Sequence, residues 1–406
     1  MKTNNLFLIF LLAAIFLVGC SSDDTADVFI NADGSGTTGT DPIEDDGEST
    51  PADPIDEDTE LNGTLSEDLT LETDRTYTLT GALIVPEGIT LTINPGVVVR
   101  ARIGADVFIA VLQGGVINAV GTASDPIIFT SDSATPNAGD WGGLIILGRA
   151  PINSVSGGDA TSTSEIGGLP YGGSVVNDNS GILRYVRVEY SGGAADASSE
   201  NNGFSFYGVG NGTTIEFIQA FEGRDDGIEF FGGTVNATYL SVVGAQDDSV
   251  DWTEGFTGTL TNVYIEHRQS HDKGIEADGF NTDTGNNSDP IFFSSPTINN
   301  LTVNGNGSSN DNEAIRLRAG TRAIFNNVLI SGFAEAFDLD GDNLDSPTGV
   351  GVLEGNTRVN DITFDDVLLF LQNDTGELFG EAEFFMGIDN GIGADYDSWN
   401  AGWTRS

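Results

Sequence analysis

Along the middle of the chain, apolar and polar residues alternate in short runs that return at a nearly fixed interval. One run is written six times: NNGFSF (201–206), DDGIEF (225–230), DDSVDW (247–252), DKGIEA (272–277), NEAIRL (312–317) and AEAFDL (334–339). Its central apolar residues are Phe204, Ile228, Val250, Ile275, Ile315 and Phe337, spaced 24, 22, 25, 40 and 22 apart. A second run keeps step: YVRVEYSG (185–192), FIQAFEG (217–223), YLSVVG (239–244), NVYIEH (262–267), NLTVNG (300–305) and NVLISG (327–332). A third, weaker strand follows the acidic run, as in GTVNAT (233–238) and TGTLT (257–261). Alternation bounded by Gly, Asn and Asp predicts strands, and no helical period intervenes. Each unit therefore reads as three short strands over about 22–25 residues.

A short strand with one apolar face is not stable alone. Stacking the units as coils buries those faces in one column, and each coil pairs its backbone with the next at about 4.8 Å. The expected fold is all-β, a single-stranded parallel β-helix solenoid. YTLTGALIVPEGITLTINPGVVVRA (77–101) and AVLQGGVINAVGTASDPIIFTS (110–131) read as its first coils, and GDWGGLIILG (139–148) continues them. At 22–30 residues per coil, residues 61–406 make roughly ten to thirteen coils. The 54 glycines suit a chain that turns a corner every few residues. Two stretches break the period, 149–180 and 277–297, and read as loop insertions, which in a solenoid often lie beside the binding face. The last residues, ADYDSWNAGWTRS, carry Trp399 and Trp403 and read as a cap over the open final coil.

The opening coils resemble those of bacterial surface β-helix proteins, and the coil pattern over about 77–340 resembles the pectate-lyase-type fold. That resemblance implies right-handed coils. The coil motifs are structural and say little about activity.

The N-terminus changes the picture of where the domain sits. MKTNNLFLIFLLAAIFLVGC has Lys2, an apolar run from Leu6 to Val18 and small residues before Cys20, which is a secretory signal over 1–19. LVGC resembles a bacterial lipobox, which implies that Cys20 carries lipid as the first mature residue. Cys20 is the sole cysteine, so no disulfide framework is expected. Residues 21–60 hold 14 acids and no Lys or Arg, so 20–60 reads as a disordered acidic tether. SSDD after Cys20 resembles the export signal of lipoproteins displayed on the outer membrane's exterior, which implies a lipid-anchored protein facing out.

Charge narrows the partners. The chain has 62 acids against 15 Lys and Arg, and 48 of those acids lie outside the tether. Nucleic acid and anionic membrane surfaces are poor partners for such a field. No phosphate loop or nucleotide fingerprint is present, so nucleotide chemistry has no support.

The acids of the repeat then need a role. Strand alternation turns Glu229, Asp251 and Glu276 outward in one column, with Arg316 at the next place in it. Asp225, Asp247 and Asp272 form a second outward column. Like charges about 4.8 Å apart repel by about 0.9 kcal/mol per pair even in water's dielectric. Three readings stay open: a solvated face with local arginine pairing, calcium bridging the carboxylates, and a catalytic or sugar-binding groove.

One stretch concentrates candidate chemistry. HRQSHDK (267–273) holds both histidines of the chain, His267 and His271, with Arg268 and Lys273, the one lysine after Lys2. A polysaccharide lyase acting there would use Lys273 or His271 as base, with Arg268 and calcium neutralising a uronate. An inverting glycosidase would use Asp226 and Asp248 on adjacent coils. The match to polygalacturonase-like enzymes is poor: Asp-Asp occurs twice, Asn-Thr-Asp (281–283) follows it, and Gly-His-Gly and Arg-Ile-Lys are missing. Zinc held by His267, His271 and Glu266 is disfavoured, because these residues follow a strand rather than sit on a helix. DLDGDNLD (338–345) sets Asp338, Asp340, Asp342 and Asp345 close together and resembles the first half of an EF-hand loop, without its glycine or final glutamate. It is a second candidate calcium site.

The expected function is a cell-surface β-helix that binds a glycan or another envelope component. The alternatives are a lyase or hydrolase of acidic polysaccharide, and a structural subunit of an outer-membrane assembly.

Overall fold

The computed structural model describes residues 59–154, 161–194, 201–268, 271–281, 291–341 and 348–406. Cys20, the tether up to residue 58, Asp342, Asp345 and residues 282–290 of the second insertion lie outside these residues, and the last two tether positions open the first strand, Thr59–Thr64. Twenty-one strands join edge to edge in one continuous ladder, and every pairing in it is parallel. The chain winds through three strand positions per coil, which is a β-helix. Between parallel neighbours such crossovers are right-handed.

The acidic run forms one wall. Its inward column passes from Gly63 through Leu83, Ile109, Leu144, Phe204, Ile228, Val250, Ile275, Ile315 and Phe337 to Leu371, eleven rungs in register. The six central residues expected to stack do so, and each is at most 1% exposed. Phe206, Phe230 and Trp252 follow two positions on, also fully buried. The small residue of the repeat is a packing requirement. A Cβ on Gly227 would lie 2.4 Å from Val242, and one on Gly274 2.5 Å from Val303.

The other two strand positions are continuous with each other. Thr214–Phe221, Ala237–Val243, Thr259–Glu266 and Thr297–Asn304 each bend once, at Phe217, Tyr239, Asn262 and Asn300. Tyr185, Asn327 and Asp361 bend their strands the same way, and all seven residues have φ between 52° and 61°. Where sequence suggested a turn between two strands, a single left-handed residue makes the corner. Asparagine tolerates that conformation because its short amide bonds locally. Here the amides also bond along the stack, Asn327 Nδ2 to Asn300 Oδ1 and Asn300 Nδ2 to Asn262 Oδ1, both at 2.8 Å. At the earlier corners Tyr185, Phe217 and Tyr239 stack face to face, with centroids 4.4 and 4.1 Å apart.

The first insertion and the C-terminus depart from expectation. Residues 149–180 are a packed flap as far as they are described. Thr161–Thr163 pairs antiparallel with Pro170–Gly172, and Ile152, Ile166 and Tyr171 pack on Phe108, Ile145, Leu147, Tyr207 and Phe231 of the wall's outer face. Apolar residues at irregular spacing did this, which is why no period betrayed it. The C-terminal tryptophans do not cap the last coil. Phe384 and Phe385 pack there, against Phe337 and Phe364. The chain then runs back along the aromatic corners: Tyr396 stacks on Tyr264 at 3.7 Å, Trp399 meets Tyr239, and Trp403 meets Phe217 and Tyr185. The corner column offered exposed ring faces, and the tryptophans cover them.

Candidate functional site

The outer face of the acidic wall frames a groove of about 430 Å³, lined by nine carboxylates and three cationic side chains. Glu229, Asp251, Glu276 and Arg316 are register partners on successive coils, and Ser205 and Asp338 continue the column at its ends. Asp225, Asp226, Asp247, Asp248 and Asp272 line the same groove from the strand entrances. Glu165 reaches it from the flap, and Lys273 and Arg318 complete it with Asn202.

The two aspartates of each Asp-Asp pair have different jobs. Asp226 and Asp248 are 7% and 4% exposed. Asp226 Oδ1 accepts the Asp248 N–H at 3.0 Å, and Asp248 Oδ1 accepts the Lys273 N–H at 2.8 Å. Each second aspartate thus ties its coil to the next through a backbone donor. The proposed glycosidase pair is therefore committed to the ladder through one oxygen apiece. The first aspartates, Asp225 and Asp247, are half-buried.

Lys273 is held rather than poised. Its ammonium lies 2.7 Å from Asp272, 3.0 Å from Glu276 and 3.7 Å from Asp248, in a side chain 5% exposed. Burial alone would lower its pKa, but the carboxylates outweigh burial and hold it above the ordinary lysine value. A lysine so fixed stays charged at neutral pH, and this contradicts the general-base role that the sequence allowed it. Arg316 bonds Glu313 at 2.7 Å, and Arg318 bonds both Glu276 and Asp278 at 2.5 Å. The cations thus gather at the Glu276 end.

Among the described residues, none of the three cations that line the groove bonds Asp226, Glu229 or Asp251. Burial first, and the neighbouring carboxylates second, push Asp226, Glu229, Asp248 and Asp251 well above the ordinary carboxylate range. Asn202 donates to Glu229 at 2.5 Å and eases it slightly. Asp251 Oδ1 is shielded from solvent and has no hydrogen-bond partner among the described residues. Such acids must keep protons or accept a cation. Three-carboxylate sets with oxygens within 4.8 Å of one another recur along the groove: Asp225–Asp226–Asp247, Asp226–Glu229–Asp251, Asp247–Asp248–Asp272 and Asp248–Asp251–Glu276. Clustered carboxylate oxygens are ligands for a hard cation such as calcium.

His271 and Arg268 are not in this groove. Arg268 bonds Glu222 at 2.7 Å and lines a separate hollow with Gly244, Gln246, Glu266, His267 and Asn306. His271 binds Asp311, as does His267. His267 and Arg268 follow the strand Thr259–Glu266, whereas His271 and Lys273 precede the strand Ile275–Asp278, and the five candidate catalytic residues form no single constellation.

The second calcium candidate also changes. Asp338 belongs to the strand Ile324–Leu339 and pairs in register with Arg316, so it is a wall residue and not a loop ligand. Arg316 lies 3.4 Å from Asp338 and 3.6 Å from Asp340. Asp342 and Asp345 lie outside the described residues.

Sequence reasoning missed Glu165, Asn202 and Arg318. Arg318 had a signal, since it stands two positions after Arg316 on the same strand face. Asn202 holds the place of Asp226 one repeat earlier, and its polarity was legible there. Glu165 had none, because the flap folds over the wall without a period.

A crystal structure titled "Crystal structure of Agl-KA catalytic domain" is similar at 15% identity and a TM-score of 0.31, covering 78% of this chain and 62% of that one. No curated protein matches the chain significantly. The model of the family described as the pectate-lyase like beta helix domain matches residues 63–404, nearly the whole folded region, with its parallel ladder. The chain belongs to the family of pectate-lyase-like β-helix domains.

Proposed function

We propose that this β-helix is a cell-surface binding domain that takes calcium into its acidic groove and uses the loaded groove to hold a glycan. The observation that carries this reading is the charge imbalance of the groove, nine carboxylates against three cations that cluster at one end. Metal-free, the Asp226–Glu229–Asp251 end carries repulsion and a shielded oxygen on Asp251 with no hydrogen-bond partner among the described residues. A bound divalent cation removes both, and its open coordination positions then offer a handle for glycan hydroxyls or carboxylates. The rigid ladder keeps these positions at coil spacing, which suits an extended chain of sugars. In this proposal a lipid on Cys20 and the acidic tether hold the domain outside the outer membrane; the lipobox-like LVGC supports this.

The test is calorimetry of the full domain, stripped with EDTA, against a panel of neutral and acidic polysaccharides with and without calcium. Binding that appears with calcium and is lost in Asp251→Asn supports the reading. Glycan binding indifferent to calcium, or none across the panel, rejects it.

A hydrolase reading has one observation in its favour. Glycosidases need a carboxylic acid that keeps its proton near neutral pH, and burial supplies four raised acids here. Release of reducing ends from a polysaccharide, abolished in Glu229→Gln, would favour catalysis over binding alone.

A further inference from the structure

Away from the acidic groove, both histidines of the chain close on a single carboxylate. His267 Nδ1 lies 3.0 Å from Asp311 Oδ2, and His271 Nε2 lies 2.9 Å from Asp311 Oδ1. The two imidazoles stack with centroids 4.5 Å apart and planes 19° apart, so both present a nitrogen along the same carboxylate edge. The three ligating atoms lie within 4.8 Å of one another. The sequence set Glu266 beside the two histidines and disfavoured zinc there; in the structure Glu266 accepts the Tyr264 hydroxyl at 2.7 Å. Asp311 replaces it from the next coil.

We propose that His267, His271 and Asp311 form a binding site for one divalent transition-metal ion of the zinc class. Two imidazoles and a carboxylate are the donor set that zinc and its neighbours prefer, whereas calcium takes oxygen. Bond lengths of about 2.1 Å place ligands of a tetrahedral ion ~3.4 Å apart. The observed separations of 3.0 and 2.9 Å therefore need to open by only a few tenths of an ångström. The carboxylate is already oriented as such ligands are. Asn306 donates its backbone N–H to Asp311 Oδ2 at 2.8 Å and its amide to Oδ1 at 3.3 Å.

Access completes the case. His267 is fully buried and lines a hollow of about 580 Å³ whose other polar side chains include Glu222 and Glu266. His271 is 14% exposed, so solvent reaches the third ligand and can fill the remaining positions.

The experiment uses the full domain, freed of metal with a chelator and titrated with zinc chloride in excess calcium chloride. Calcium occupies the oxygen-rich groove, so zinc uptake there is suppressed. The expected result is one zinc ion per chain, with cobalt substitution giving the visible d–d absorption of a low-coordinate nitrogen-bearing site. His271→Ala should weaken zinc at least about tenfold, read from zinc titration of the folded variant. Asp311→Asn keeps the hydrogen-bonding shape and should weaken zinc as well. Wild-type protein that takes up no zinc, or zinc that binds His271→Ala as tightly as wild type, overturns the proposal.

Discussion

Glu229 and Asp251 are register partners on adjacent coils, and both point into the same groove with raised pKa values. Burial raises both first; Asp251 then raises Glu229, while Glu276 and Asp248 raise Asp251. A stack of identical coils multiplies whatever it places on one face, so one acid per repeat becomes a column of acids.

That column makes stability depend on pH in a definite direction. Free carboxyls titrate near 4, whereas Asp226, Glu229, Asp248 and Asp251 keep their protons to higher pH when folded. Between those limits the unfolded chain has released protons that the folded one still holds. Stability of the metal-free protein therefore falls as pH rises above about 4, and levels off once the folded groups have ionised. Thermal unfolding between pH 5 and pH 8 should show this fall with EDTA and a much smaller one with calcium. Asp251→Asn removes two in-column repulsions, roughly 2 kcal/mol at pH 8, and should flatten the EDTA curve. Equal slopes with and without calcium would count against cation loading.

Lys273 should matter for folding more than for chemistry. Its ammonium neutralises Asp248, Asp272 and Glu276 within a side chain 5% exposed. Lys273→Met leaves those acids uncompensated and should cost about 3–5 kcal/mol at pH 7. Part of that loss should return at pH 5, because burial, and then Glu276, hold the Asp248 carboxyl well above its ordinary value. Denaturant titrations at the two pH values read the difference directly.

The C-terminal strap carries real packing. Trp403 is fully buried against the corner rings Tyr185 and Phe217, and Arg187 donates to its carbonyl at 2.6 Å. Trp403→Ala should cost about 3–5 kcal/mol in equilibrium unfolding. A loss below 1 kcal/mol would mean that the strap merely rests on the corners.

Asn300 separates backbone strain from ladder bonding. It bends its strand at φ 56° and bonds Asn262 and Asn327. Asn300→Gly keeps the bend and loses the amide, so about 1–2 kcal/mol is expected. Asn300→Ala also pays for the left-handed conformation, about 1–2 kcal/mol more. Denaturation of the two variants side by side tests that ordering.

What could be read from the chain alone was what repetition and strand alternation dictate. Each repeat meets a copy of itself, so Ile228 falls on Val250 and Glu229 on Asp251, and side chains two apart share a face. Local pattern thus sufficed for the coils, the buried column and the outward acids. Tertiary structure alone decided what depends on side chains reaching between distant or unlike segments. Asp226 and Asp248 turned inward to backbone donors, Glu165 arrived on an aperiodic flap, the tryptophans lay along the corners, and Asp311 met His267 across 44 residues. A repeat specifies its own neighbours because they are copies of itself. It carries no information about segments that break the repeat, so their positions follow from the shape and polarity of the finished surface.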